Sequence, residues 1–259
     1  MLGALIGDIV GSIYEWKNCK EKNFPFLQPD CRMTDDSVMT AAVASAVLMG
    51  VGDLEAFKEN LVTEMRRLGR QYPGLGYGPR FEAWLASEEP KPYNSLGNGS
   101  AMRVSPVAWV AESLPQCLAL AKASAEVTHN HPDGIAGAMT VAGAVYLARI
   151  GEGKEAIRDH VTRYYPLNFT LDEIREDYQF DVSCAGSVPQ AMEAFLEGES
   201  FEDAVRNAVS IGGDSDTIAC MAGAVAAAFY GVPRAIRDQA LPFLDGEVRN
   251  IYDRFIQSY

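Results

Sequence analysis

Residues 217–230 (T-I-A-C-M-A-G-A-V-A-A-A-F-Y) carry no charge and show no polar face at helical spacing. A helix of that kind is stable only when protein surrounds it on all sides. Residues 37–49 (S-V-M-T-A-A-V-A-S-A-V-L-M) read the same way. Two such segments demand a core deep enough to enclose whole helices. A chain of 259 residues, 48% of them apolar, is ample for one.

The remaining segments are helical with polar faces. Residues 54–68 place Leu54, Phe57, Leu61, Met65 and Leu68 on one stripe, and Lys58, Glu59, Glu64 and Arg66 off it. Further helices are expected over 114–127, 134–149, 155–164, 188–196, 201–211 and 245–256. Gly50, Gly151, Gly198 and Gly231 follow apolar runs, where helices stop. Sustained period-2 alternation is absent, so strand signals are poor. The runs at 141–144 (V-A-G-A) and 222–228 (A-G-A-V-A-A-A) let neighbouring backbones approach closely. The expectation is an all-α fold, a single compact multi-helix domain over residues 1–259 with central buried helices. Irregular stretches at 18–33, 71–79, 87–100 and 168–187 have no linker composition, and no repeat recurs at a fixed period.

With 22 Lys+Arg against 35 Asp+Glu, the formal charge is −13. That balance disfavours non-specific nucleic-acid binding and docking on an anionic membrane. The charge-free stretches 134–148 and 217–233 fall short of a bilayer span or are broken by Gly and Pro. The opening residues are apolar but lack a basic leader and reach Asp8 at once, so no export signal is expected. Five cysteines, an odd set with no C-x-x-C pair, read as reduced thiols of a cytoplasmic protein.

Two acidic clusters precede the two apolar helices: Thr34-Asp35-Asp36-Ser37 and Gly212-Gly213-Asp214-Ser215-Asp216-Thr217. Either alone is an ordinary helix cap, since Thr, Asp and Ser accept the free N–H groups of a first turn. A cap needs one side-chain oxygen, however, and each cluster supplies two carboxylates and a hydroxyl. Four carboxylates beside buried helices are costly unless a cation neutralises them. Oxygen-only ligands suit Mg²⁺ or Mn²⁺ rather than zinc, and so many carboxylates suggest a two-metal site.

Other candidates are weaker alone. Glu15 reads as a surface acid at a helix end, and Asp8 as either a cap or a buried support. Ser95-Leu96-Gly97-Asn98-Gly99-Ser100 offers glycines that let a ligand approach the backbone, and a helix starting near Ser100 would present N–H groups to a phosphate. It is neither a P-loop nor a dinucleotide fingerprint, and Asn-Gly is first of all a turn. His129 and His131, two apart, would not share a helix face to chelate a metal, and a helix C-terminus is the plain reading. No nucleophile elbow is present.

As a set, these residues resemble the ADP-ribosylglycohydrolase family, which includes the dinitrogenase reductase-activating glycohydrolase and the ADP-ribosyl-arginine and ADP-ribosyl-serine hydrolases. The resemblance spans nearly the whole chain, in order: Gly7-Asp8 with Glu15, Thr34-Asp35-Asp36, Gly97-Asn98-Gly99 with Met102-Arg103, Thr128-His129, and the motif from Gly212 to Thr217. It implies an all-α fold and a centre of two Mg²⁺ or Mn²⁺ ions held by Thr34, Asp35, Asp36, Asp214, Asp216 and Thr217. It implies an ADP-ribose site lined by Ser95, Gly97, Asn98, Gly99, Ser100 and His129, with Glu15 at the distal ribose. Leu96 departs from the aromatic residue of the serine-specific relatives. Compactness is a second departure and implies shortened lid loops.

The implied reaction is hydrolysis of the bond between the distal ribose and an acceptor: a protein side chain, a nucleic-acid base or a small metabolite. Positive charge develops on the ribose ring, as in other glycosidases. Glu15, Asp36 and Asp214 are the candidate catalytic acids, and which of them is the general base stays open. A non-catalytic ADP-ribose-binding protein on the same fold is the alternative, and a phosphohydrolase of the diphosphate is another.

Overall fold

A computed structural model describes residues 1–259, and every regular element in it is helical. The only strand-like feature is an isolated antiparallel bridge between Gly97 and Ser183. At the centre lies Ser215–Tyr230, whose residues from Ser215 to Ala226 are all buried. Around it pack Leu2–Gly11, Phe201–Ser210, Cys184–Glu197 and Pro132–Arg149. Asp35–Met49 is the second enclosed helix, flanked by Leu54–Gln71 and Gly246–Ser258. Leu114–Glu126 and Lys154–Val161 lie against Pro132–Arg149. One continuous apolar core runs from Met1 to Phe255. No helix is long and apolar enough to cross a membrane.

The nine helices expected from the sequence are present with ends shifted by a few residues. Side-chain caps account for several starts: Asp53 accepts from the N–H groups of Glu55 and Ala56, Ser113 from Gln116, and Ser200 from Asp203. Leu2–Gly11, Pro79–Ala86 and Arg234–Ala240 escaped the sequence reading, as did the single-turn helices Val107–Val110 and Leu171–Ile174. Leu2–Gly11 carries three glycines, poor helix formers, and its stability comes from packing instead.

That packing is unusually close. A Cβ on Gly7 would stand 2.0 Å from the carbonyl oxygen of Ala219, and one on Gly3 would stand 2.0 Å from that of Gly223. Gly7→Ala therefore forces two backbones apart and is expected to destabilise by about 1–3 kcal/mol or more. Gly52→Ala, at a position open to solvent, is the control and should change little. Urea unfolding midpoints check both, and equal midpoints would remove the close approach as a source of stability. This contact matters for the site, because Leu2–Gly11 carries Asp8 and ends beside the second acidic cluster.

Candidate active site

The two acidic clusters lie 181 residues apart in sequence and meet in space: the Thr217 hydroxyl donates to Asp36 Oδ2 at 3.1 Å. Asp8 explains the placement of the first cluster. Its carboxylate accepts from the Thr34 N–H at 2.9 Å, the Thr34 hydroxyl at 2.6 Å, the Ser37 N–H at 3.0 Å and the Ser37 hydroxyl. Asp8 thus clamps the first turn of Asp35–Met49, which is the buried-support reading. Thr34 is the cap of that helix, accepting from the Asp36 N–H at 3.4 Å.

The second cluster is set by a different device. Gly212 and Gly213 both adopt φ +71°, a conformation that favours glycine. Asn18 accepts from the Gly213 N–H at 2.7 Å and donates to the Glu15 carbonyl at 2.8 Å, so the Glu15 turn is stapled to the second cluster. Asp214 occupies the cap position of Ser215–Tyr230 but makes no side-chain cap bond. Its Oδ2 instead accepts from Asn98 Nδ2 at 2.6 Å. Asp216 Oδ1 accepts from the Thr217 N–H at 2.9 Å.

Carboxylate oxygens converge in two groups, Asp8 with Asp36 and Asp216, and Glu15 with Asp214 and Asp216, each within 4.8 Å. Asp216 belongs to both. Burial raises every one of these carboxyls above its ordinary range: Asp36 and Asp216 strongly, Asp8 and Asp214 in the same direction. Glu15 is pushed up to about 7, first by burial and then by the Asp214 charge. Asp35, facing the same cleft, is raised well above the usual range by burial and by the charges of Asp8 and Asp214. Asp36 Oδ1 is buried with no hydrogen-bond partner. A buried carboxylate oxygen left without a donor is the position a cation fills, so these residues fit a divalent metal.

Glu15, Asp35, Asp36, Asp214 and Asp216 line a cleft of about 350 Å³. Its wall carries Ser95, Gly97, Asn98, Gly99 and His129, all expected there, together with Arg80, Tyr93 and Phe180, which the sequence reading did not single out. The Asn98 N–H donates to the Val182 carbonyl at 2.8 Å, and the Cys184 N–H to that of Leu96 at 2.9 Å, which pins the loop in place. Arg80 lies over the Tyr93 ring, 4.9 Å from its centroid. The exposed Trp16 stacks on the cleft-lining Phe180 with 5.4 Å between centroids. The spaced glycines of Gly74-Leu75-Gly76-Tyr77-Gly78 were the available signal for that part of the wall, since Gly76 and Gly78 line it.

One expected residue sits elsewhere. Ser100 is fully buried, and its hydroxyl turns inward to the Gly134 carbonyl at 2.7 Å. The helix expected to start near it, Gly99–Met102, is only four residues long. Thr34 does not line the cleft, but its hydroxyl lies among the acids, donating to Asp8 Oδ1 at 2.6 Å and reaching Asp36 Oδ2 at 3.4 Å. Nor do the histidines mark a helix C-terminus: Leu114–Glu126 ends before them, and His131 caps Pro132–Arg149 by accepting from the Asp133 N–H at 3.1 Å.

The chain is similar to known proteins along most of its length. A bovine protein (Bos taurus) named ADP-ribosylhydrolase ARH3 is 29% identical, over 90% of this chain and 84% of its own length. Its alignment runs over 315 positions against 259 residues here, so that relative carries segments this chain lacks. The ADP-ribosylarginine hydrolase Tri1 of Pseudomonas putida (strain GB-1) is 27% identical, over 90% of this chain and 70% of its own. A solved structure described as an ADP-ribosylglycohydrolase-related protein complex has the same fold, with TM-score 0.71 and 24% identity over 99% of this chain and 96% of that one. The ADP-ribosylglycohydrolase family model matches residues 1–258, so the chain belongs to the ADP-ribosylglycohydrolase family of enzymes.

Proposed function

We propose that the chain is a divalent-metal-dependent glycohydrolase that releases ADP-ribose from an acceptor attached to its distal ribose. The observation that carries this reading is the orphaned Asp36 Oδ1 among converging carboxylates in a cleft that a glycine loop also lines. Asp36, Asp214 and Asp216 are the acids best placed to hold two Mg²⁺ or Mn²⁺ ions, with Asp35 on the cleft face, Thr217 bonded to Asp36, and Thr34 between Asp8 and Asp36. Bound there, a divalent cation supplies charge stabilisation and a lowered pKa for water. Family membership over residues 1–258 and one continuous core support a single domain.

The chain's own residues do the rest. Gly97, Gly99 and His129 receive the diphosphate, and Asn98 holds Asp214 in register. Glu15, a carboxyl near 7 within reach of the acids, can carry or release a proton at neutral pH. Water adds at the anomeric carbon, the bond to the acceptor breaks, and the proton ends on the departing atom. Acceptors remain a protein side chain, a base or a small metabolite. Five free thiols support a cytoplasmic setting.

The test is a panel of ADP-ribosylated substrates with and without chelator. The expected product is ADP-ribose with an intact leaving group, formed only with metal. AMP would convert the reading to phosphohydrolysis, and tight ADP-ribose binding without any release would convert it to a non-catalytic binder. Asn98→Ala removes the donor to a buried carboxylate and should weaken ADP-ribose binding by about tenfold or more in calorimetry. Glu59→Ala, on the exposed face of Leu54–Gln71, should leave it unchanged. Equal effects from both would point to general destabilisation.

A further inference from the structure

Beneath the Gly-Asn-Gly loop, Arg103 is 1% exposed and has no carboxylate partner. Its Nη2 donates to the Ser124 carbonyl at 3.2 Å and to the Thr128 hydroxyl at 2.8 Å, and its Nε is buried and unpaired. Thr128 is fully buried, and its hydroxyl oxygen lies 2.7 Å from His129 Nδ1. Arginine can only donate, so the Thr128 oxygen accepts from Arg103. The hydroxyl proton then has one acceptor in reach, His129 Nδ1. An imidazole whose Nδ1 accepts carries its single proton on Nε2. Burial and the charges of Arg103 and Arg80 hold the His129 pKa well below its ordinary value, so the ring is neutral. Nε2 has no protein partner, and it lies 3.2 Å from where a Gly99 Cβ would stand and 3.6 Å from that of Gly97.

We propose that Arg103 and Thr128 are positioning residues that lock His129 as an Nε2–H donor to the diphosphate, with the guanidinium, which has no carboxylate partner, as a cationic floor under the loop. The assignment of the ligand rests on the reading of the cleft as an ADP-ribose site. The relay explains why a buried arginine is tolerated without a counter-ion: an anionic ligand above the loop offsets its charge. It also explains why the diphosphate end of the cleft can take an anion although the chain carries net charge −13.

Long-range ¹H–¹⁵N NMR of the histidine side chains reads the tautomer without ligand, and only three histidines need assignment. The expected wild-type spectrum shows His129 protonated on Nε2. Thr128→Val removes the donor and should shift His129 toward Nδ1 protonation, with ADP-ribose affinity in calorimetry falling about tenfold or more, the usual cost of a hydrogen bond to a charged group. Thr128→Ser keeps the hydroxyl and should restore both tautomer and affinity. A wild-type His129 protonated on Nδ1 overturns the relay, and so does wild-type affinity in Thr128→Val. If Thr128→Val does not fold, the wild-type spectrum and the Thr128→Ser pair still decide. Absence of ADP-ribose binding by the wild type overturns the ligand assignment and the donor role, and it is told apart from relay failure by the ligand-free spectrum.

Discussion

Asp36→Asn is expected to abolish divalent-cation uptake and to lower turnover by about 10³-fold or more. The size follows from losing several kcal/mol of charge stabilisation at the reacting centre, each 1.4 kcal/mol being about tenfold in rate. A second readout is independent of activity. Carboxyls held above their ordinary range mean that the folded chain keeps protons which the unfolded chain releases. Stability without cation therefore falls as pH rises from the ordinary carboxylate range toward the raised folded values. A divalent cation takes the place of those protons, so its stabilising effect should grow with pH. Asp36→Asn removes one of the crowded charges. At pH 8 the cation-free variant should melt above the cation-free wild type, while added Mg²⁺ should raise only the wild type. Asp214→Asn should lose metal and activity together. Full activity in excess chelator, or melting curves indifferent to Mg²⁺ and Mn²⁺, would end the metal reading.

The acidic clusters were legible because their signal is local. Carboxylates and a hydroxyl stand at the start of helices whose composition forces them inward, and sequence spacing reveals both facts. Asp8 was ambiguous for the opposite reason. Its four hydrogen bonds all go to residues 26 to 29 positions away, and nothing near it in sequence announces them. Leu2–Gly11 was missed because its glycines argue against a helix until Ser215–Tyr230 is laid against it. Ser100 shows the limit of loop reading: its neighbours line the cleft, yet its hydroxyl faces Gly134, and only the fold decides which way it turns. Arg80 opens a helix of only two turns, too short for its apolar spacing to stand out, and Tyr93 lies in an irregular stretch; the chain's path brings both to the wall. The buried state of Arg103 could not be read either, because an arginine after a short apolar run is ordinarily exposed.

Glu15→Gln is the second large effect, and it separates two roles that the geometry leaves adjacent. The change keeps size and hydrogen-bonding atoms but removes the negative charge and the ability to take a proton. If Glu15 were a surface acid, nothing measurable would follow, since exposed substitutions rarely move stability by more than about 0.5 kcal/mol. The structure puts it instead on the cleft wall, in one oxygen group with Asp214 and Asp216. As an acid or base at the glycosidic bond, it should cost roughly 10²-fold or more in turnover when replaced. Cation affinity decides what kind of loss this is. Uptake close to wild type alongside slow turnover assigns Glu15 to proton transfer. Turnover and uptake falling together, with activity returning at high Mg²⁺, would make Glu15 a ligand and shift the base to an Asp of the cluster. Near-normal turnover would remove Glu15 from the chemistry altogether, and the proton would then have to pass through Asp35, Asp36, Asp214 or Asp216.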